Sequence, residues 1–369
     1  MTTVPFEPAA AAQRERVGLL LVNVGTPAAP RPREVRRYLR EFLSDPRVLD
    51  LPAWRRRLLL ELVILPRRAR ASAAAYRQIW TDQGSPLLVH GRALAAKLQA
   101  RLGDGVRVEL AMRYGSPSIA GALDRLERAG ATRLVLLPLY PHYSSAATGS
   151  AVARVLELAA RRWTTPLLQI VPPFYDHPAY LDVRTELARP FLVGPEPDHV
   201  FMSFHGLPER QVRRGDPTGV HCLARADCCA TIDGRNRHCY RAQCFATAAR
   251  LAERLAIPRF RMTVCFQSRL GRSPWLRPYS DRVLADEAGR GARHGVIVPS
   301  FVADCLETVE ELGLRGLETW RRHGGRSLRV VPAPNADDRF VEALAAIAVD
   351  GSSFLFDRGA AEVAARSSP

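Results

Sequence analysis

Five of the seven cysteines in this 369-residue chain fall between His221 and Cys244, in HCLARADCCATIDGRNRHCYRAQC, a stretch with almost no apolar periodicity. Their spacing, C-x5-C-C-x9-C-x4-C, lacks paired CxxC units and so departs from a zinc ribbon. Four thiolates can instead hold a [2Fe–2S] cluster, two on each iron. A single zinc ion and free thiols are the other readings, and there are five candidates for four places. Cys265 lies in an expected strand and Cys305 in a separate motif, so neither reads as a ligand of that group.

A second constellation has a different chemistry. His205 ends the apolar run HVFMSF and is followed by Gly206, which lets the backbone turn and leaves the imidazole at a strand end. A neutral imidazole there can take a proton or bind a transition metal; the plainer reading is a structural histidine. Glu307 and Glu311 are four apart on an expected acidic helix and so share one face, with Asp304 one turn before Glu307. These acids suit a helix N-terminus, and beside His205 they also form a pair able to hold a metal briefly and pass protons. No GxGxxG, Walker, GxSxG or HExxH pattern occurs, so nucleotide, hydrolase and zinc-protease chemistry lacks sequence support. The turns MRYGSPS, LYPHYSSAATGS and FQSRLGRSPWLRPYSD are aromatic and nearly neutral, which suits a large flat ligand.

The elements that must position these residues read as two similar halves. Strands are expected at 17–23, 107–112, 133–139 and 166–171, and again at 199–204, 259–266, 295–301 and 327–333, with helical patterns between them. Each fourth strand ends in a proline cluster, VPPF and VPAP, and special residues follow each first strand, NVGTP in one half and HGLP in the other. The expected fold is α/β: two doubly wound domains, each with a parallel four-stranded sheet, facing one another across a cleft. In such sheets ligands sit beyond the carboxyl ends of the strands. Expected spans are a disordered leader at 1–15, an N-terminal domain at 16–180, a C-terminal domain at 181–350 with a cysteine-rich insertion at 215–244, and a tail at 351–369.

Composition narrows the partners. The 53 Lys and Arg outnumber the 37 Asp and Glu, a net charge of +16, and Lys97 is the sole lysine. Such a charge attracts polyanions or anionic headgroups. The arginines are spread without aromatic interleaving, which weakens a nucleic-acid reading; a general bias toward arginine explains them equally well. No run approaches the roughly 18 apolar residues of a membrane span, and the N-terminus lacks the pattern of a secretory signal. A cytoplasmic protein is expected, in which a disulfide network is unsuited to the redox conditions. One stretch, Arg37 to Trp80, alternates arginine with Leu, Trp and Ile at spacings near three and four. It reads either as a basic amphipathic surface that rests on a membrane or a flat apolar ligand, or as a helical hairpin packed on its own domain.

The motifs VGLLLVNVGTPAAPRPREVRRYLREFLSDPRV, SFHGLPER and FVADCLETVEEL, in this order, resemble the ferrochelatases, which insert Fe²⁺ into a porphyrin late in haem synthesis. The resemblance covers nearly the whole chain. It implies the chelatase fold, a porphyrin cleft between the domains, and His205 and Glu307 as the metal-insertion pair facing the substrate Fe²⁺. It further implies that Val24, Arg113, Tyr114, Tyr140, Tyr143, Ser144, Trp275 and Glu311 line the porphyrin site. Residues 31–80 would form its lip, with peripheral contact at the inner face of the membrane. Where some members carry histidine two residues before the motif glutamate, this chain has Cys305. Where some extend the acidic row past Glu311, it has Arg315, which implies a shorter acid relay.

For the cysteines, the resemblance implies a [2Fe–2S] cluster held within one internal segment. Cluster-free ferrochelatases often carry a cysteine at the place of Cys244, so Cys222, Cys228, Cys229 and Cys239 are the favoured ligands, with Cys244 able to replace Cys228 or Cys229. Protoporphyrin IX is the expected substrate and coproporphyrin III the alternative, with cobalt insertion less favoured. A non-catalytic porphyrin- or polyanion-binding protein is the reading from another class. The chain is expected to be a monomer or homodimer that does not bind nucleic acid.

Overall fold

A computed structural model describes residues 16–192, 199–271, 273–290 and 293–355. The expected leader at 1–15 and most of the expected tail lie outside these residues.

The first half runs β1 (Arg16–Thr26), α1 (Pro32–Ser44), α2 (Ala53–Leu59), α3 (Leu65–Ile79), α4 (Pro86–Leu102), β2 (Val106–Gly115), α5 (Ile119–Arg128), β3 (Ala131–Pro138), α6 (Ser150–Ala160) and β4 (Leu167–Ile170). The second runs α7 (Pro178–Leu192), β5 (His199–His205), α8 (Glu209–Arg214), α9 (Tyr240–Arg254), β6 (Met262–Gln267), α10 (Ser280–Glu287), β7 (Arg293–Ile297), α11 (Leu317–Arg322), β8 (Ser327–Val330) and α12 (Asp338–Asp350). Among the described residues three stretches wind as π-helix: Leu60–Ile64 between α2 and α3, Ser145–Gly149 before α6, and Leu306–Gly316 before α11.

All eight expected strands form. They make two parallel four-stranded sheets of identical topology, β2-β1-β3-β4 and β6-β5-β7-β8. The boundaries shift where local chemistry overrides the apolar pattern. Residues Arg259–Arg261 make a 3₁₀ turn after Pro258, so β6 starts at Met262, and β7 stops at Ile297, before Pro299. Pro299 has no N–H for a ladder.

Alternation along β1 sends Leu19 and Leu21 into a core shared by both halves, and Leu20 and Val22 into a second core with Ile119, Leu123 and Val155. The shared core also takes Val200, Met202 and Phe204 of β5, while Phe201 turns to a third cluster with Val296 and Trp320. This is the period-two rule applied to sheets covered on both faces.

The helices cross between the halves. The C-terminal α12 packs on α4 of the first half and on α7, and α7 packs on α9 and β7 of the second. The N-terminal lip crosses too. Its α3 packs on the Leu306–Gly316 helix, and Val35, Ala73, Tyr76 and Ile79 bury against Leu306 and Val309. The outer surface of the lip keeps Trp54 64%, Leu58 56% and Leu62 68% exposed.

Candidate active site

Near the carboxyl end of β1, Val24 packs with Cys305, which precedes the helix of Glu307, and at the end of β6 Gln267 donates to the Glu307 carbonyl at 2.9 Å. Tyr114 Oη, Ser150 Oγ and Arg113 Nη2 all converge on Asp45 Oδ2, at 2.9, 2.5 and 2.7 Å. Asp45 caps the end of α1. Burial would raise its pKa, but the bonds from Ser150, the Arg47 amide and Tyr114, with the Arg113 charge, hold it below the usual range. Arg113 and Tyr114 therefore anchor the lip to the first sheet through their polar ends. Sequence reasoning missed Asp45, whose type and place in SDPRV mark only a turn. Gly25 belongs to the same junction. Its φ is +115°, and a Cβ there would sit 1.9 Å from the Tyr114 carbonyl oxygen, so no other residue fits.

The other expected pocket residues take distinct places. Val24 is half-buried and packs with Leu87, Ala303 and Cys305 where the halves meet. The Tyr140 hydroxyl is buried without a protein partner among the described residues. Burial pushes its phenol well up. Ser144 spends its hydroxyl capping the next turn at Ala147 N, 3.1 Å. Tyr143 tilts against His238, with ring centroids 5.6 Å apart. Trp275 donates from Nε1 to Leu270 O at 2.9 Å. Its ring lies 3.2 Å from where a Cβ on Gly206 would stand, and the Gln267 carbonyl lies at 2.8 Å. Gly206 is thus required for close approach rather than for an unusual φ.

His205 is fixed from three sides. Its amide donates to Ser300 Oγ at 3.0 Å, its carbonyl accepts from Tyr240 Oη at 2.8 Å, and its Nδ1 lies 2.7 Å from Gly206 O. A carbonyl only accepts, so Nδ1 carries a proton and Nε2 is the ring nitrogen left open to a substrate.

Glu307 starts a helix that is π-helical, not the ordinary helix the four-residue spacing predicts. Bonds run i to i+5 there, each turn holds more residues, and Glu307 and Glu311 remain in one row. The charge of Glu307 raises the phenols of Tyr38 and Tyr76, which burial already pushes far up, so the carboxylate is flanked by the lip. Glu311 accepts from the Ser268 amide at 2.9 Å and from its hydroxyl. Ser268 lies in a turn already marked as chemical, but nothing in its type singled it out. At the end of the row Arg315 pairs with Glu310 at 3.2 Å.

Burial raises the Glu311 carboxyl above the usual 4.5. The Ser268 bond opposes this, Glu307 reinforces it, and His205 and Arg315 lower it, which places His205, Glu307 and Glu311 within one electrostatic site. The native state thus binds this proton more tightly than the unfolded chain. The associated stability is present below the usual glutamate range and is lost as pH rises through the raised pKa. Glu311→Gln should keep the neutral form at all pH and flatten the fall of Tm above pH 4.5. An unchanged Tm–pH slope in the variant would count against it.

The thiol segment has no helix or strand between α8 and α9. It folds instead on Asp216, whose Oδ2 accepts the His221 and Cys222 amides, each at 2.8 Å, and whose Oδ1 accepts Thr218 N and Oγ1. Asn236 Nδ2 bonds Cys228 O and Thr231 O at 2.9 and 2.8 Å. This brings Cys228 Sγ to 3.7 Å from Cys229 Sγ and sets Cys239 in hydrogen-bonding contact with Cys229 and Cys222. Arg241 Nη1 points at Cys229 Sγ from 3.0 Å. The thiols of Cys229 and Cys222 and the Ala242 and Arg241 amides stabilise the Cys239 thiolate against burial, bringing it down to about 6. Burial and the neighbouring Cys239 push Cys222 up to about 12. Cys244 is set apart, buried against Tyr240. Asp216 was missed, although its place before Pro217 signals a turn. Among the described residues no three His, Cys, Asp or Glu converge as ligands of a single ion.

The ferrochelatase family model matches residues 16–351. A ferrochelatase of Legionella pneumophila (strain Lens) is 43% identical over 333 residues, 90% of this chain and 98% of the relative. One of Pseudomonas fluorescens (strain Pf0-1) is 45% identical over 331 residues, 89% of this chain and 96% of the relative. The solved structure of SirB from Bacillus subtilis with Fe³⁺ aligns over 91% of this chain and 96% of its own, with a TM-score of 0.50 and 12% identity, a likeness of fold. With the family model matched over both sheets and such identity over both halves, the chain belongs to the ferrochelatase family and is a metal chelatase.

Proposed function

We propose that this ferrochelatase takes protoporphyrin IX and Fe²⁺ to protohaem, with His205, Glu307 and Glu311 as its reacting groups. The observation that carries the reading is that His205 pairs with Gln267 across β5 and β6, Gln267 donates to the Glu307 carbonyl at 2.9 Å and the next residue, Ser268, donates to Glu311 at 2.9 Å, so one strand edge brings the imidazole and both glutamates together. Two pyrrole N–H protons leave as Fe²⁺ enters. A planar macrocycle held bent by apolar walls tilts its nitrogen lone pairs toward the metal. His205 Nε2 takes a pyrrole proton, Glu307 holds the incoming Fe²⁺, and Glu311, whose raised pKa suits proton acceptance, passes protons outward. Steady insertion of Fe²⁺ or Zn²⁺ into added protoporphyrin tests this. Faster turnover of coproporphyrin III would transfer the reading to that substrate, and tight binding of either porphyrin without insertion would overturn it.

The thiol group supports a [2Fe–2S] cluster on Cys222, Cys228, Cys229 and Cys239. The donor set fits: four sulfurs gathered in one fold, a nearby guanidinium to balance thiolate charge, and one thiol poised to ionise. Such a cluster wants sulfurs in two pairs rather than around one point. When bound it supplies a one-electron centre and a crosslink. The chain's own Asp216, Asn236 and Arg241 hold the loop and the sulfurs in place.

The exposed Trp54, Leu58 and Leu62, set among Arg55, Arg56 and Arg57, support peripheral docking of the lip on an anionic membrane from the cytoplasmic side, by a monomer or homodimer. No helix among the described residues is long and apolar enough to cross a bilayer. The wild-type protein should co-sediment with vesicles containing phosphatidylglycerol. A Leu58→Ser, Leu62→Ser double variant should stay in the supernatant, and equal sedimentation of the two would remove the lip from the reading.

A further inference from the structure

We propose that Tyr240 is the positioning residue for His205, and that it ties the placement of this histidine to metal on the adjacent thiols. The inference rests on the reading of His205 as a reacting group and of the cysteines as cluster ligands. It concerns a side chain that neither reading uses.

The geometry starts at the N-terminus of α9. Cys239 is the N-cap residue of this helix, and its carbonyl accepts the Gln243 amide at 3.1 Å. Tyr240 is the next residue. Its ring is buried in the core shared by both halves. Its hydroxyl donates to the His205 carbonyl at 2.8 Å and lies within hydrogen-bonding reach of Ser300. Ser300 Oγ in turn accepts the His205 amide at 3.0 Å. Both main-chain polar groups of the histidine are therefore held by one pair of hydroxyls, and one of that pair is covalently next to a thiol of the cluster site.

The same two helical turns also reach the first half of the molecule. Gln243 Oε1 accepts the Tyr143 amide at 2.7 Å, while Gln243 Nε2 donates to Arg237 O at 2.7 Å, inside the cysteine segment. Thr247 Oγ1 meets His142 Nε2 at 2.9 Å. The start of α9 thus grips the first-half turn at His142 and Tyr143 and the second-half strand end at His205. Cys239 fixes where that start lies. The segment before it has no regular secondary structure, and its placement depends on Asp216, Asn236 and contacts among the sulfurs. Metal held by Cys239 and its neighbouring thiols would remove the remaining freedom of the helix start. Loss of that metal releases it, and the release reaches His205 through a single hydroxyl. Small displacements matter at such a centre, since a shift of about 1 Å in a reacting group can cost on the order of 100-fold in rate.

The test compares wild type with Tyr240→Phe, which keeps the buried ring and removes the hydroxyl. Hydrogen exchange in the peptide spanning 199–208 is followed before and after chelator removes the thiol-bound metal. In wild type the exchange should rise on metal removal. In Tyr240→Phe it should already be high and should not respond, while the visible absorbance of the cluster and the iron content match wild type. For Zn²⁺ insertion into protoporphyrin, kcat of the variant should fall roughly tenfold with KM within about twofold. Wild-type exchange and kcat in Tyr240→Phe would overturn the proposal. So would loss of the cluster absorbance in the variant, which would make Tyr240 a part of the thiol fold alone. Absence of iron from the wild-type protein would refute the cluster and the coupling together. The clamp on His205 would still be judged by exchange and kcat in the variant.

Discussion

His205→Ala should lower the turnover number for Fe²⁺ or Zn²⁺ insertion by about 100- to 10,000-fold, the range associated with a positioned acid–base group. Porphyrin affinity should stay within about twofold. The split follows from where the side chain is held. Its main chain is fixed by Ser300 and Tyr240, and its Nδ1–H is taken by the Gly206 carbonyl, so truncation removes Nε2 without releasing the strand end. Quenching of protein fluorescence by bound porphyrin reports affinity, and stopped-flow absorbance reports insertion. An alanine variant that inserts metal at the wild-type rate would remove His205 from the mechanism. A variant that loses porphyrin binding along with turnover would recast it as a structural residue.

Cys239→Ser should abolish the visible absorbance of the cluster and bring iron to background, whereas Cys244→Ser should leave both unchanged. The contrast rests on placement. Cys239 is in contact with the Cys222 and Cys229 sulfurs at the cap of α9, while Cys244 is buried one turn further on against Tyr240. Serine keeps the size and a hydrogen-bonding atom, so the Cys239 variant loses the soft thiolate rather than its fit. Its thermal midpoint should fall as well, because metal bound only by the native state stabilises the fold. Retained absorbance in Cys239→Ser together with loss in Cys244→Ser would reassign the fourth ligand. Zinc in place of iron in the wild-type protein would overturn the cluster.

Much of the fold was legible because buried parallel strands announce themselves. VGLLLVN and RLVLLPL are apolar throughout, as strands covered on both faces must be, and the turns after them carry the chemically distinct residues. What could not be read were the long-range partners. Asp45 is one polar residue in a turn until the fold sets it under Arg113, Tyr114 and Ser150. The four-residue spacing of Glu307 and Glu311 gives a shared face in either kind of helix, so spacing alone could not reveal the wider winding. The cysteines were visible as a group, but their arrangement depends on Asp216 and Asn236, whose types mark turns in countless loops. The lip had two readings, and its two sides divide between them: its inner face packs on the Glu307 helix while Trp54, Leu58 and Leu62 remain outside.

The crossing of α12 onto α4 has a consequence for how the molecule comes into being. The first sheet is complete by Ile170, yet the core on its inner face also contains Phe340, Val341 and Leu344. During synthesis the inner face of the first sheet therefore stays partly uncovered until α12 has emerged. Each half has a core cluster of its own, but neither completes the shared one alone, so the stability of the two is coupled through it. Helix α12 thus closes the core that β1 begins, and the two halves become fixed to one another only at that closure.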